Sequence, residues 1–118
     1  MLVVGSIFIT LAILFGIIIL NAILKNKRTP KPMVFLHGAF ALFAILVLIG
    51  FVAAGNTDGL LIGALAILVI AALGGLYVFT IDMKKQTIPK IVVLLHALLA
   101  LGGFGVLIYF MMHREVIS

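Results

Sequence analysis

Four apolar runs, roughly 2 to 24, 33 to 54, 59 to 81 and 90 to 112, occupy nearly all of this chain, with only short polar breaks between them. Each holds the ~20 residues that an α-helix needs to cross ~30 Å of hydrocarbon. Inside lipid every backbone N–H and C=O must find a partner within the protein, which leaves helices and closed β-barrels as the only spanning structures. A barrel would show alternating segments of ~10 residues, and none of these runs alternates. Composition agrees: 66% of residues are hydrophobic and 9% charged, with a mean hydropathy of +1.50, too little charge to hydrate a globular surface. The expected fold is therefore an all-α integral membrane protein, a single four-helix transmembrane bundle. The first run lacks a basic start and is too long for the apolar core of a signal peptide, so it reads as a retained helix.

The charges give the expected orientation. Of the eight Lys and Arg, seven (Lys25, Lys27, Arg28, Lys31, Lys84, Lys85 and Lys90) lie in the first and third connections. Basic loops stay on the cytoplasmic side, so both termini and the turn AGNTDG are expected outside, with Arg114 the remaining cation there. The expected location is an inner or plasma membrane. The net charge of +5 then reflects topology and gives no sign of a nucleic-acid partner, whose readers carry basic stripes on a hydrated face. With no cysteine, disulfides, thiolate metal sites and iron–sulfur clusters are excluded.

Displacing the chain against itself by 59 positions superimposes Lys25 on Lys84, Pro30 on Pro89, Lys31 on Lys90 and His37 on His96 without a gap. Shared leucines and valines follow in the same register, but any two membrane helices share those; the Pro, Lys and His coincidences carry the weight. The chain reads as two repeated helical hairpins, residues 1–54 and 59–113, arranged up-down-up-down as a parallel repeat. His37 and His96 then lie at one depth, each six residues past a loop lysine and so ~9 Å beneath the basic interface. Helices 2 and 4 are diagonal partners with an expected axis separation of ~11 to 14 Å, too far for the imidazoles to bond directly.

Residues near the histidines are small. Ala41 and Ala100 follow one turn further along the same faces, and helices 1 and 3 contribute Ala12-x-x-x-Gly16 and Ala71-x-x-x-Gly75, a spacing that admits close approach by a helix or a planar ring. A slot walled by His37 and His96 and floored by Gly16 and Gly75 suits a porphyrin whose iron takes axial imidazoles. Its propionates would meet Arg28, Lys31 or Lys90. The ring nitrogen not on the metal needs an acceptor, for which the repeat-related Asn21 and Thr80 and backbone carbonyls are candidates.

On His37, His96, Gly16, Gly75 and the four-helix plan, the chain resembles the membrane b-type cytochromes, which hold haem between helices through two histidines. The resemblance is architectural. It implies one haem b per chain, electron transfer as the role, and a quinone or a redox protein as partner beside the lipid bilayer. Many such cytochromes carry four core histidines and two haems; this chain carries two.

Other readings remain open on the residues alone. Histidines inherited by duplication could serve as interhelical hydrogen-bond glue, although ionisable groups within membrane helices are costly and tend to be functional. A non-catalytic anchor or assembly subunit fits the size of the chain. A small metal-ion or proton transporter could use the histidine pair, whereas proton-coupled export needs an embedded carboxylate, and Asp58, Asp82 and Glu115 all fall at helix ends. His113, after the outer Tyr-Phe-Met-Met, reads as an interfacial residue, and Gly59-x-x-x-Gly63 has the spacing of a contact with a second copy of the chain.

Overall fold

Helix boundaries fall where the sequence places its prolines and capping residues. In a computed structural model that describes residues 2–114, the chain forms α1 (Leu2–Leu24), α2 (Lys31–Ala53), α3 (Gly59–Met83) and α4 (Lys90–Arg114). Glu115 and the Arg114 side chain lie outside the described residues. The boundaries depart from the sequence-based spans by two residues at most. The start of α2 moves from 33 to Lys31 because Pro32 sits in the first helical turn, after Pro30 at the N-cap. There the missing N–H costs nothing.

α1 and α3 end in the same way. Beyond α1, Lys27 N–H bonds the Ala22 carbonyl at 2.8 Å and Asn26 N–H bonds that of Ile23 at 3.0 Å; beyond α3, Gln86 and Lys85 repeat the pattern onto Ile81 and Asp82. This double bond onto the last turn requires one left-handed residue, supplied by Asn26 (φ 55°) and Lys85 (φ 56°), which are again 59 positions apart. Between α2 and α3, Asn56 Nδ2 donates to the Phe51 carbonyl at 2.9 Å, Gly55 takes φ 112°, and the Asp58 carboxylate caps α3 by accepting from Leu60 N–H at 2.9 Å.

All four helices are long and apolar enough to cross a membrane. The long dimension of 42 Å matches a bilayer of ~40 to 45 Å with its headgroups. Side chains such as Leu14, Ile17, Leu42, Leu73, Leu98 and Met112 lie exposed on the outside, far more apolar surface than a water-soluble monomer shows.

Packing is uneven in two respects that shape the site. α1 packs along α2 and α3 along α4, whereas contacts between these two hairpins are sparse. The apolar core is also confined to one end. Leu2, Ile9, Ala44, Leu48, Phe51, Leu61, Ala64, Leu68, Leu107 and Phe110 form it, and all belong to the helix halves remote from the basic connections. At the basic-loop end the buried apolar residues are Ala12, Ile23, Val34, Ala71 and Val93, none of them aromatic.

Candidate histidine site

His37 and His96 are both half-buried at the basic-loop end, and the fold brings them together. Their ring centroids are 6.2 Å apart with planes at 89°. The long reach of the histidine side chain closes most of the diagonal that the helix axes leave open.

Each ring is held by a backbone carbonyl of its own hairpin. His37 Nδ1 donates to the Ala12 carbonyl at 2.7 Å, and His96 Nδ1 donates to the Ala71 carbonyl at 2.6 Å. A carbonyl only accepts, so in each ring Nδ1 carries a proton, and in the neutral imidazole the lone pair is then on Nε2. This settles the acceptor that the sequence left open. Asn21 is exposed, and the Thr80 hydroxyl donates instead to the Tyr77 carbonyl at 2.7 Å.

The glycines explain how a helical carbonyl, already accepting from the N–H four residues on, takes a second donor. Helical side chains lean toward the N-terminus, so the side chain of residue i+4 covers the carbonyl of residue i. Gly16 and Gly75 stand four residues after Ala12 and Ala71 and leave those carbonyls bare. The imidazoles lie directly over them: a Cβ at Gly16 would come within 3.0 Å of His37 Cε1, and one at Gly75 within 2.9 Å of His96 Cε1. This corrects the sequence reading in one respect. Gly16 and Gly75 are seats for the histidines themselves rather than the floor of a slot between them. Ala41 and Ala100 line the same faces one turn further on, and both are half-buried.

No hydrogen bond joins the two rings, and neither Nε2 has a protein partner among the described residues. Neither atom is sealed away either, since no buried side-chain nitrogen or oxygen among those residues lacks a partner. Each Nε2 therefore keeps some accessible surface. Metal–imidazole bonds of ~2 Å on either side, with each ring centre about 1 Å behind its nitrogen, would set two axial rings about 6 Å apart. The ring-centroid distance of 6.2 Å is of this size.

The cations differ in their engagement. Lys31 Nζ pairs with Asp82 Oδ2 at 2.7 Å and donates to Thr29 Oγ1 at 3.0 Å, and the Thr29 hydroxyl in turn donates to the Asp82 carboxylate, 2.9 Å from Oδ2. Arg28 and Lys90 are exposed and have no ion-pair partner among the described residues. Of the three cations expected to meet an anionic group, Lys31 is thus already neutralised.

Among the described residues no three His, Cys, Asp or Glu side chains gather as a metal site. His113 is exposed, stacks on Tyr109 at 4.0 Å and has Nδ1 bonded to the Tyr109 carbonyl at 3.0 Å. A groove of about 300 Å³ between α1 and α4, which Ser6, Thr10, Phe104 and Met111 help line, lies at the opposite end from the histidines. Its wall is almost wholly apolar. Comparison with models of known protein families, with curated proteins and with solved structures returns no match.

Proposed function

We propose that this chain is an integral membrane haem protein that transfers electrons through one b-type haem ligated by the Nε2 atoms of His37 and His96. The observation that carries the reading is the pair of imidazoles, each with Nδ1–H tied to a backbone carbonyl and Nε2 free, at the spacing of two axial ligands. A metal-bound histidine gains basicity and a fixed orientation from this kind of second hydrogen bond. Two imidazoles alone under-coordinate a transition metal, and among the described residues no third His, Cys, Asp or Glu gathers with them. A porphyrin brings four equatorial nitrogens of its own, which is why haem is favoured over a bare ion.

The protein's part in this chemistry is geometric and electrostatic. Ala12 and Ala71 hold the two rings in one tautomer, Gly16 and Gly75 let them approach, and the sparse seam between the hairpins, bordered by Ala41 and Ala100, is where a macrocycle would pack. Acidic groups at the edge of the ring fall to Lys90 and Arg28, because Lys31 is engaged by Asp82. Bound haem would supply a reversible one-electron couple, and with both axial positions taken by histidine it favours outer-sphere transfer. The four helices span the bilayer as a parallel repeat of two hairpins, with the basic loops and the histidine pair on the cytoplasmic side. A quinone or a redox protein is the natural partner there, and the open glycines Gly59 and Gly63, whose added Cβ atoms would meet nothing within 4 Å, suit contact with a second copy.

The test is an absorption spectrum of protein purified with haem supplied. The expected result is a low-spin Soret band and a sharp α band in the reduced state, absent from His37→Ala and from His96→Ala. A spectrum with only ultraviolet absorption sinks the proposal and leaves the histidines as helix glue. Zinc or proton flux into liposomes that depends on both histidines would instead favour transport.

A further inference from the structure

The end of the bundle that carries the histidines has no large apolar core to hold its two hairpins together. Three contacts between the hairpins stand out there. Phe35 meets Phe79 edge-on at 5.9 Å, the two imidazoles face each other at 6.2 Å, and Asp82 of α3 is gripped by Thr29 and Lys31 at the start of α2. The last is the only one of the three that involves charge. Its inner members are shielded, the Asp82 side chain 12% exposed and Thr29 7% exposed, while the Lys31 side chain that covers them is 43% exposed. The three groups form a closed ring in which the ammonium donates to hydroxyl and carboxylate while the hydroxyl donates to the carboxylate, so the hydroxyl proton and two of the three ammonium protons have acceptors.

This cluster breaks the 59-residue pattern that relates the rest of the chain. The positions corresponding to Asp82 and Thr29 are Ile23 and Ile88, and Lys90, which corresponds to Lys31, has no ion-pair partner among the described residues. One side of the histidine site is therefore clasped and the corresponding side is not. The clasp is also close enough to matter for the rings. Lys31 precedes His37 by six residues on α2, and Asp82 follows Gly75, the seat of His96, by seven residues on α3. These separations are ~9 Å and ~10 Å along rigid helices, so a shift of α2 against α3 at the clasp is passed on to the histidine pair.

We infer that Asp82, Thr29 and Lys31 are positioning residues that fix the separation of His37 and His96 by locking α2 to α3 at the basic-loop end. The inference rests on the reading of the histidines as paired ligands, but its primary test does not need the ligand. Because the chain has no cysteine, spin labels can be placed through Lys27→Cys and Gln86→Cys, both at exposed loop positions, in otherwise intact protein in lipid nanodiscs. Asp82→Ala is expected to lengthen and broaden the label-to-label distance distribution by several ångströms, and the exchange Lys31→Asp with Asp82→Lys to restore a narrow one. After haem is supplied, Asp82→Ala should show a high-spin fraction that the exchanged pair loses. Should Asp82→Ala fail to fold, Asp82→Asn, which keeps the shape and removes the charge, takes its place with the same expectation. A distribution in the Asp82 variant that superimposes on the parent's overturns the inference, as does a disturbed distribution that the exchange leaves unrepaired. If the parent protein takes up no haem, the electron-transfer proposal falls while the label distances still decide the role of the clasp.

Discussion

A methyl group is the smallest change that separates a seat for an imidazole from ordinary helix packing. Gly16→Ala places a Cβ 3.0 Å from Cε1 and 3.2 Å from Nδ1 of His37, where the ring must give by a few tenths of an ångström, at the expense of its bond to Ala12. Loss of one such hydrogen bond is worth roughly 1 kcal/mol, so haem affinity is expected to fall about five- to tenfold in Gly16→Ala and again in Gly75→Ala, read by titration of the Soret band. Nitrogen NMR of labelled, haem-free protein gives an independent check: both histidines should show Nδ1–H in the parent, and His37 alone should change in Gly16→Ala. Lys90→Gln should weaken haem severalfold and leave the affinity for haem dimethyl ester untouched, because the ester has no carboxylate for the lysine to meet; equal losses for both ligands would remove Lys90 from that role. At this scale the sequence was legible in part. The coincidence of Pro, Lys and His at one offset pointed to the pair, and Ala-x-x-x-Gly pointed to a close approach. What it could not say is which group does the approaching, since that depends on the side chain of α2 reaching over α1, a contact with no local signature.

Element boundaries were the most readable feature, because proline, asparagine and the apolar runs act within a few residues of where they stand. Pro30 and Pro32 start α2, Asp58 caps α3, and the left-handed Asn26 and Lys85 close α1 and α3. Of these, Lys85 had no signal, since lysine is not a usual left-handed residue; its position opposite Asn26 under the 59-residue offset was the one hint. The core end is expected to act independently of the site. Leu48 and Leu107 are fully buried, and truncation to alanine should cost about 2 kcal/mol or more in reversible unfolding from mixed micelles while leaving the haem spectrum of the folded fraction unchanged. A spectral change in Leu107→Ala as large as that in Gly75→Ala would mean that the two ends of the bundle are coupled.

For the molecule as a whole, four helices and their order follow from hydropathy alone, whereas the pairing of hairpins and the bare seam between them depend on which faces are small, which hydropathy does not record. The Asp82 clasp was hidden for a related reason: an acid at a helix end is ordinarily solvated, and only the fold brings Thr29 and Lys31 around it. Cysteines introduced singly in the first and third connections should react with membrane-impermeant reagents only from the cytoplasmic side, and one in the 54–58 turn only from outside; the reverse pattern would invert the proposed orientation. The central claim is that two crossed imidazoles, presented through Nε2, share one iron. It is tested most directly by electron paramagnetic resonance of the ferric, haem-loaded protein. The account predicts a low-spin species with the strongly anisotropic signal of perpendicular axial imidazoles, absent from both His37→Ala and His96→Ala. A high-spin ferric signal in the parent protein, or a low-spin signal that survives either substitution, would contradict it.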